Sequence, residues 1–464
     1  MKRFFYLLLF CCITFTASAQ RAKYVFFFIG DGMGVNQVNG TEMYLAELEG
    51  RIGVKPLLMT SFPVASMAST YSVTNGITDS AAGGTALSTG SKTNNGVIGV
   101  DRDNGVLVSV AERAKASGRK VGITTSVSVD HATPAAFYAH QPSRRMYYEI
   151  ALDIPHAGFD FHAGSGFLKP NKTFDGQDAP EVIPLLEEAG YTIARGVDDF
   201  KAKMATADRM ILIQEEGQDN VSLPYAIDRR EGQMTLKDIT ESAIAFLTKG
   251  KDTGFFLMVE GGKIDWSCHN NDAATTFREV VDMDEALAVA YAFYKKHPRE
   301  TLIVVSADHE TGGLALGNGT YVLNLQALQY QRASEEELSI AVTNLRKNEK
   351  VTWDDARALL TEKMGFWTQV PLDWEAEKAL RDVFEESFVR NHVVFSETMY
   401  AKTEPLAACA RLQLNRLAHA GWTTPDHSAG LVPVFAIGAG AELFNGKMEN
   451  IDIPQRIAKA AGYK

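Results

Sequence analysis

Six short apolar runs place the strongest constraint on the fold of this chain. They are rich in Val, Ile and Phe, are separated by helical or glycine-rich segments, and cover residues 24–29, 121–125, 210–213, 255–259, 301–305 and 432–437. Such runs are typical of strands buried on both faces of a parallel sheet. A hydrophobic content of 45% in 464 residues supplies a large core and excludes a disordered chain. We therefore predict an α/β fold with a large, mostly parallel central sheet and helices on both faces.

Acidic residues follow three of these runs. Asp31 comes after the first run, Glu260 after the run at 255–259, and Asp308 after the run at 301–305, each near glycines. A single acid in this position is as well explained by a turn or a helix cap. Three of them indicate a shared site, because ligands of open α/β sheets bind beyond the carboxyl ends of the strands.

Histidines accompany these acids at spacings that suit metal binding. Asp265 and His269 are four residues apart and would share one face of a helix. Asp308 and His309 are adjacent, and His427 lies in a loop of small residues. Carboxylate oxygens and imidazole nitrogens form a ligand set that suits Zn²⁺. The sequence therefore predicts a site for two metal ions.

Ser80 and Arg144 are the candidate catalytic residues. Ser80 follows Asp79 at the start of a helix of small residues, where a capping role is the ordinary interpretation. The same position would also favour an anion, and a metal would activate the hydroxyl as a nucleophile. Arg144 offers a planar fork that matches two phosphate oxygens, whereas Arg145 is expected at the surface.

The first 19 residues have the pattern of a secretory signal peptide. Lys2 and Arg3 precede an apolar run at 4–15 and the small residues 17–19, so that cleavage would leave Gln20 first. No later stretch is long enough to span a bilayer. We expect an exported protein, periplasmic or extracellular, without a transmembrane segment in its mature chain.

Two alternatives to a cleaved signal remain open, an uncleaved N-terminal anchor and a lipid attached to Cys11 or Cys12. Outside the signal only Cys268 and Cys409 remain, and two unpaired thiols are favoured over one disulfide bond.

The mature region, 20–464, is expected to form one catalytic domain with a helical insertion at about 324–420. The insertion is rich in Glu, Ala, Leu and Arg at helical spacing, and it leaves the sheet after Asp308-His309 and returns before His427. It would therefore overhang the site. Acidic residues outnumber basic ones by 57 to 46, and no basic block is present, so nucleic acid is not expected as a partner.

Taken together, the motifs resemble the alkaline phosphatase family. The resemblance runs from about residue 24 to the C-terminal end, outside the insertion. It is carried by the ordered set Asp31-Gly-Met-Gly34, Asp79-Ser-Ala-Ala82, His131-Ala-Thr-Pro-Ala135, Glu260-Gly-Gly262, Asp265 to His269, Asp308-His-Glu-Thr311 and His427.

The resemblance implies a centre of two zinc ions and one magnesium ion. The implied ligands are Asp265, His269 and His427 for one zinc; Asp31, Asp308, His309 and the Ser80 oxygen for the other; and Asp31, Thr133 and Glu260 for Mg²⁺. His131 stands where the best-studied bacterial members have Asp, and Trp266 stands where they have Lys. The His131 variant is similar to animal-type members and leaves the identity of the third ion open, because a carboxylate is missing beside it.

The resemblance also implies the activity, which is hydrolysis of phosphate monoesters through a phosphoserine at Ser80, with Arg144 orienting the phosphoryl oxygens and inorganic phosphate as product. Two alternatives remain open: a phosphodiesterase of the same superfamily, and a non-catalytic phosphate- or metal-binding protein. A homodimer is common in similar enzymes.

Overall fold

The structure is a computed structural model that describes residues 21–319, 321–348, 350–397 and 400–464. The expected signal peptide at 1–19 lies outside the described residues, as does Gln20. Among the described residues, no helix combines the length and the apolar character needed to cross a membrane.

The core of the molecule is a ten-stranded sheet. Its strands, in chain order, are β1 (Tyr24–Gly30), β2 (Val64–Ser69), β3 (Lys120–Thr125), β4 (Phe161–Ala163), β5 (Thr192–Arg195), β6 (Met210–Ile213), β7 (Phe255–Gly261), β8 (Thr301–Ser306), β15 (Val432–Gly438) and β16 (Met448–Glu449). Their spatial order is β16-β2-β15-β8-β1-β7-β3-β4-β6-β5. The remaining strands form short pairs: β9 (Glu310–Thr311) with β14 (His427–Ser428), β10 (Ala315–Leu316) with β13 (Ala420–Gly421), and β11 (Ser396–Glu397) with β12 (Lys402–Thr403).

Two groups of helices pack against this sheet. The α-helices are α1 (Val35–Leu48), α2 (Ser80–Thr89), α3 (Val110–Ala116), α4 (Ala132–Ala135), α5 (Tyr147–Ala157), α6 (Val182–Glu188), α7 (Gly196–Lys203), α8 (Leu236–Leu247), α9 (Lys263–His269), α10 (Ala273–Lys296), α11 (Glu335–Leu345), α12 (Trp353–Met364), α13 (Trp374–Phe384), α14 (Pro405–Ala418) and α15 (Asp452–Ala461). Helices α8 and α10 form one group on the central strands, and α2, α3, α4 and α15 form the other. The predicted α/β fold with a large, mostly parallel sheet is confirmed.

One strand runs against the prediction. The segment at 432–437 is expected as a parallel strand, but β15 pairs antiparallel with both β8 and β2, so that prediction is wrong in direction. The chain enters β15 from the β9–β14 pair, which lies just beyond the carboxyl end of β8. A strand that starts at this edge must run the opposite way, since no crossover carries the chain back to the other edge.

The segment expected as an insertion, 324–420, supplies most of a second apolar cluster, separate from the main core. It contains α11 to α14, a 3₁₀ helix at Leu325–Tyr330, a π-helix at Glu385–Val389 and the β11–β12 pair. Leu338, Leu360, Leu380 and Leu406 are fully buried in this cluster, which also includes Phe277 of α10. The two cysteines in the described part of the chain are unpaired, as expected: Cys268 is buried and Cys409 is partly buried.

Candidate metal centre

The three acids predicted from the strand ends lie together at the carboxyl edge of the sheet. Asp31 directly follows β1, Glu260 lies near the end of β7, and Asp308 follows β8, and all three are completely buried. Strands β7, β1 and β8 are neighbours, which brings their ends together. Gly32 has a φ of 71°, and a side chain there would come within 2.9 Å of Asp265. A glycine is therefore required for this close approach.

The short helix α9 presents the next two ligand candidates. It begins directly after β7, and its buried Asp265 and His269 lie on one face, with Asp265 Oδ2 3.2 Å from His269 Nε2. His427, which arrives from the far side of the insertion, places its Nε2 3.2 Å from His269 Nε2 and 3.6 Å from Asp265 Oδ1. These three residues form one group of possible metal ligands.

Hydrogen bonds to backbone carbonyls fix how these two imidazoles carry their protons. His269 Nδ1 lies 2.6 Å from the Pro425 carbonyl, and His427 Nδ1 lies 2.8 Å from the Thr78 carbonyl. Carbonyl oxygens only accept, so both Nδ1 atoms are donors and both Nε2 atoms of the neutral rings carry lone pairs. Two lone pairs that face each other at 3.2 Å repel unless a cation lies beside them. This arrangement suits a metal ion.

His309 is held in the same way, by a side chain that the sequence analysis did not single out. The Thr311 hydroxyl donates to Asp265 Oδ1 at 2.5 Å and lies 3.2 Å from His309 Nδ1. Since the hydroxyl proton points to Asp265, His309 Nδ1 is the donor and Nε2 carries the lone pair. A Thr two residues after a candidate ligand is the signal that could have identified it.

The Nε2 atom of His309 lies between the predicted nucleophile and two carboxylates. It is 3.3 Å from both Asp31 Oδ1 and Asp308 Oδ2, and 3.2 Å from Ser80 Oγ. Asp31, Asp265 and His309 form a second group of possible metal ligands, so Asp265 belongs both to this group and to the group with His269 and His427. The structure thus brings together every residue predicted for the second ion.

A third group surrounds the predicted magnesium position. Asp31, His131 and Glu260 place possible ligand atoms within reach of one ion. The Thr133 hydroxyl lies 3.4 Å from Asp308 Oδ2. Both Asp31 carboxylate oxygens, Glu260 Oε1 and both ring nitrogens of His131 are buried without a hydrogen-bond partner among the described residues. Buried polar atoms are normally satisfied, so these atoms fit a cation-binding role.

The crowding of carboxylates perturbs their protonation. Burial, together with the neighbouring Asp308 and Asp265, raises the pKa of Asp31 well above its usual range. Burial also raises the pKa of Glu260 to about 7. Burial alone would raise the pKa of Asp265 too, but the imidazoles of His269 and His427 outweigh it and lower that pKa. Carboxylates buried this close together stay ionised only beside positive charge, which divalent ions would supply.

Ser80 lies where a nucleophile would be needed. It is the first residue of α2 and completely buried, and the helix is capped by Asp79, whose Oδ1 accepts from the Ala82 backbone N–H at 3.0 Å. The helix N-terminus carries a partial positive charge that favours an anion beside Ser80.

Arg144 reaches the same place from the segment before α5. Its Nη1 donates to Asp79 Oδ2 at 3.2 Å, and its Nη2 donates to the hydroxyl of Tyr400 at 3.0 Å. Arg144 is buried, whereas Arg145 is exposed, as expected. Tyr400 comes from the insertion, and the sequence analysis did not identify it.

Known proteins resemble this chain both in sequence and in structure. The sequence profile of the alkaline phosphatase family matches residues 22–164 and 218–463. Alkaline phosphatase 3 of Bacillus subtilis is 33% identical over 453 residues, which cover 95% of this chain and 89% of the relative. The cold-active alkaline phosphatase of a psychrophilic Shewanella species has a similar structure, with a TM-score of 0.79 at 27% identity over 94% of this chain and 99% of that one.

A second structural neighbour is a histidine-to-aspartate mutant of the TAB5 alkaline phosphatase, described as having Mg bound in its M3 site. Its TM-score is 0.66 at 27% identity, over 96% of this chain and 99% of that one. Since the family profile covers most of the sequence, the chain belongs to the alkaline phosphatase family of phosphomonoester hydrolases.

Proposed function

We propose that this chain is an exported enzyme that hydrolyses phosphate monoesters through a phosphoserine at Ser80, in a site loaded with two Zn²⁺ and one Mg²⁺. The observation that carries the proposal is the convergence of His269 Nε2 and His427 Nε2, 3.2 Å apart, beside the buried Asp265 carboxylate. A cation shared by the three side chains would accept a lone pair from each neutral ring and would thereby stabilise this arrangement.

The metal ligands of the proposal are those implied by the family resemblance. One zinc would be held by Asp265, His269 and His427; the other by Asp31, Asp308, His309 and the Ser80 oxygen; and Mg²⁺ by Asp31, Thr133 and Glu260, with His131 beside it. The Mg bound in the M3 site of the TAB5 mutant supports a third ion in this family. Bound ions would supply Lewis acidity and positive charge next to the phosphoryl oxygens.

The chain's own residues account for the rest of the reaction. Ser80 Oγ attacks phosphorus in line with the ester oxygen, so the alcohol leaves and a phosphoserine forms. Water then attacks the phosphoserine, releases inorganic phosphate and restores Ser80. Two inversions at phosphorus give net retention. The guanidinium of Arg144 and the N-terminus of α2 bind the non-bridging oxygens throughout. Because metal ligands must be deprotonated, we expect activity to rise toward alkaline pH.

Export and assembly are further parts of the proposal. The pattern at 1–19 supports cleavage before Gln20 and a periplasmic or extracellular location. N-terminal sequencing of the protein from its native source tests this, and a chain that still begins at Met1 would contradict it. We also propose a homodimer, because similar enzymes are commonly homodimers. Sedimentation in solution tests this, and a monomer would contradict it.

A phosphodiesterase is the second candidate, because one observation favours it. The ring of Tyr400 stacks on Trp266 at the site, with centroids 4.6 Å apart, and such an apolar wall could accommodate a second ester group. Turnover of a chromogenic monoester and of the matching diester separates the two activities. A diester turned over faster than the monoester would favour this second candidate.

Metal analysis with an assay before and after chelation tests the main proposal. We expect two zinc ions and one magnesium ion per chain, and loss of monoester hydrolysis on chelation that returns when both metals are added back. Full activity in a metal-free sample would contradict the proposal. Tight phosphate binding without alcohol release would favour a non-catalytic phosphate-binding protein.

A further inference from the structure

One side chain of the insertion lies inside the candidate site. Tyr400 precedes β12, and its ring is nearly parallel to the indole of Trp266, with an angle of 11° between the planes. The ring also contacts His131 and His269, at centroid distances of 5.8 Å and 5.3 Å. Tyr400 is thus held by three side chains of the main body.

The hydroxyl of Tyr400 completes a clamp around Arg144. Two nitrogens of the guanidinium are engaged, Nη2 by the Tyr400 oxygen at 3.0 Å and Nη1 by Asp79 Oδ2 at 3.2 Å. Asp79 is fixed to α2 through its cap bond to Ala82, and Tyr400 is fixed to α9 through its stack on Trp266. The orientation of the guanidinium is therefore set by the nucleophile's helix on one side and by the insertion on the other.

We propose that Tyr400 is a positioning residue for phosphate binding: its hydroxyl holds the Arg144 guanidinium in the plane that receives two phosphoryl oxygens. The proposal rests on the proposed function of Arg144. An arginine side chain loses much rotamer freedom when it binds an anion in a defined geometry. A clamp that orders the side chain beforehand reduces that cost, and thereby tightens the binding of phosphate and of the monoester.

A double-mutant cycle tests whether Tyr400 acts through Arg144. The four proteins are the metal-loaded wild type, Tyr400→Phe, Arg144→Ala and the double variant. Phenylalanine keeps the stack on Trp266 and removes only the hydroxyl. Each protein is measured for the Kd of inorganic phosphate and for kcat and KM with a chromogenic monoester.

We expect Tyr400→Phe to weaken phosphate binding and to lower kcat/KM by about 5- to 20-fold, mainly through KM. In the Arg144→Ala background, the same change should alter both quantities by less than about twofold, because the group that Tyr400 positions is gone. Equal effects in both backgrounds, or no effect in the wild type, would overturn the proposal.

Tyr71→Phe is the matched control. It removes a tyrosine hydroxyl that hydrogen-bonds Glu449 at the surface, and it should leave phosphate binding unchanged. Thermal unfolding of all five proteins checks that each is folded. If the wild type releases no alcohol from the monoester, the proposed function fails, while the phosphate-binding cycle still decides the role of Tyr400.

Discussion

At the carboxyl edge of the central sheet the deeply buried side chains include acids and imidazoles, whereas in the insertion at 324–420 they are mainly apolar. The edge residues Asp31, Glu260 and Asp308 lie on or next to strands whose backbone is locked in parallel ladders. The insertion is stabilised by its own apolar cluster and reaches the site through Tyr400. From this comparison we expect the sheet edge to hold the proposed metal ligands and the insertion to act on the site through Tyr400. Four mutational tests could break or sharpen this division of labour.

Ser80→Ala should have the largest effect, because it removes the proposed nucleophile from the edge. We expect kcat for a chromogenic monoester to fall by about three orders of magnitude or more, with the unfolding temperature nearly unchanged. Ser117→Ala, at the exposed end of α3, is the control and should retain full turnover. A near-normal kcat in Ser80→Ala would remove Ser80 from the mechanism.

Arg144→Ala should have the next largest effect. The guanidinium is buried beside the nucleophile's helix, and its loss should lower kcat/KM by about 100-fold. The neighbouring Arg145 is exposed, so Arg145→Ala should stay within about twofold of the wild type. Comparable losses in the two variants would show that general positive charge, rather than a fixed fork, is what matters.

A pair of Leu→Ala variants compares the two regions directly. Leu257 lies in β7, three residues before Glu260, and Leu380 lies in the apolar cluster of the insertion; both are fully buried. Each change should lower the free energy of unfolding by about 2–5 kcal/mol. Measured below both unfolding temperatures, Leu257→Ala should also reduce kcat, whereas Leu380→Ala should keep it within about twofold. Equal losses of kcat would mean that the insertion's core also sets the geometry of the site.

The smallest effect is expected at the surface of the insertion. Lys378 and Asp382 form an ion pair at 2.5 Å whose side chains are 61% and 62% exposed. Lys378→Ala should change the free energy of unfolding by less than about 0.5 kcal/mol, as judged by urea unfolding at low and high salt. A larger and salt-dependent loss would show that the insertion relies on its surface charges.

The sequence was sufficient for six of the ten strands of the described sheet, but not for β2, β4, β5 and β16, and for most of the candidate site. Strand ends followed by acids identify Asp31, Glu260 and Asp308, because parallel strands bring their carboxyl ends to one edge. The i, i+4 spacing identifies Asp265 and His269. The direction of β15 was not accessible, since an apolar run reads the same for either orientation.

Contacts between residues far apart in the sequence could not be predicted either. Tyr400 meets Arg144 only because the insertion folds back over the edge, and no local pattern marks that contact. The carbonyls of Thr78 and Pro425, which orient two histidines, are backbone groups that carry no sequence signal at all. The identity of the bound ions likewise depends on such orienting contacts as well as on the ligands.

The short pairing of β10 with β13 has a consequence for how this fold can vary. Ala315 lies opposite Gly421 and Leu316 opposite Ala420, so the chain segments on either side of the insertion lie next to each other. The entropy of closing such a loop grows only slowly with its length. Loop closure therefore sets little limit on the length of the segment, but any shorter or unrelated replacement would have to cover Phe277 of α10 and supply a new partner for Arg144.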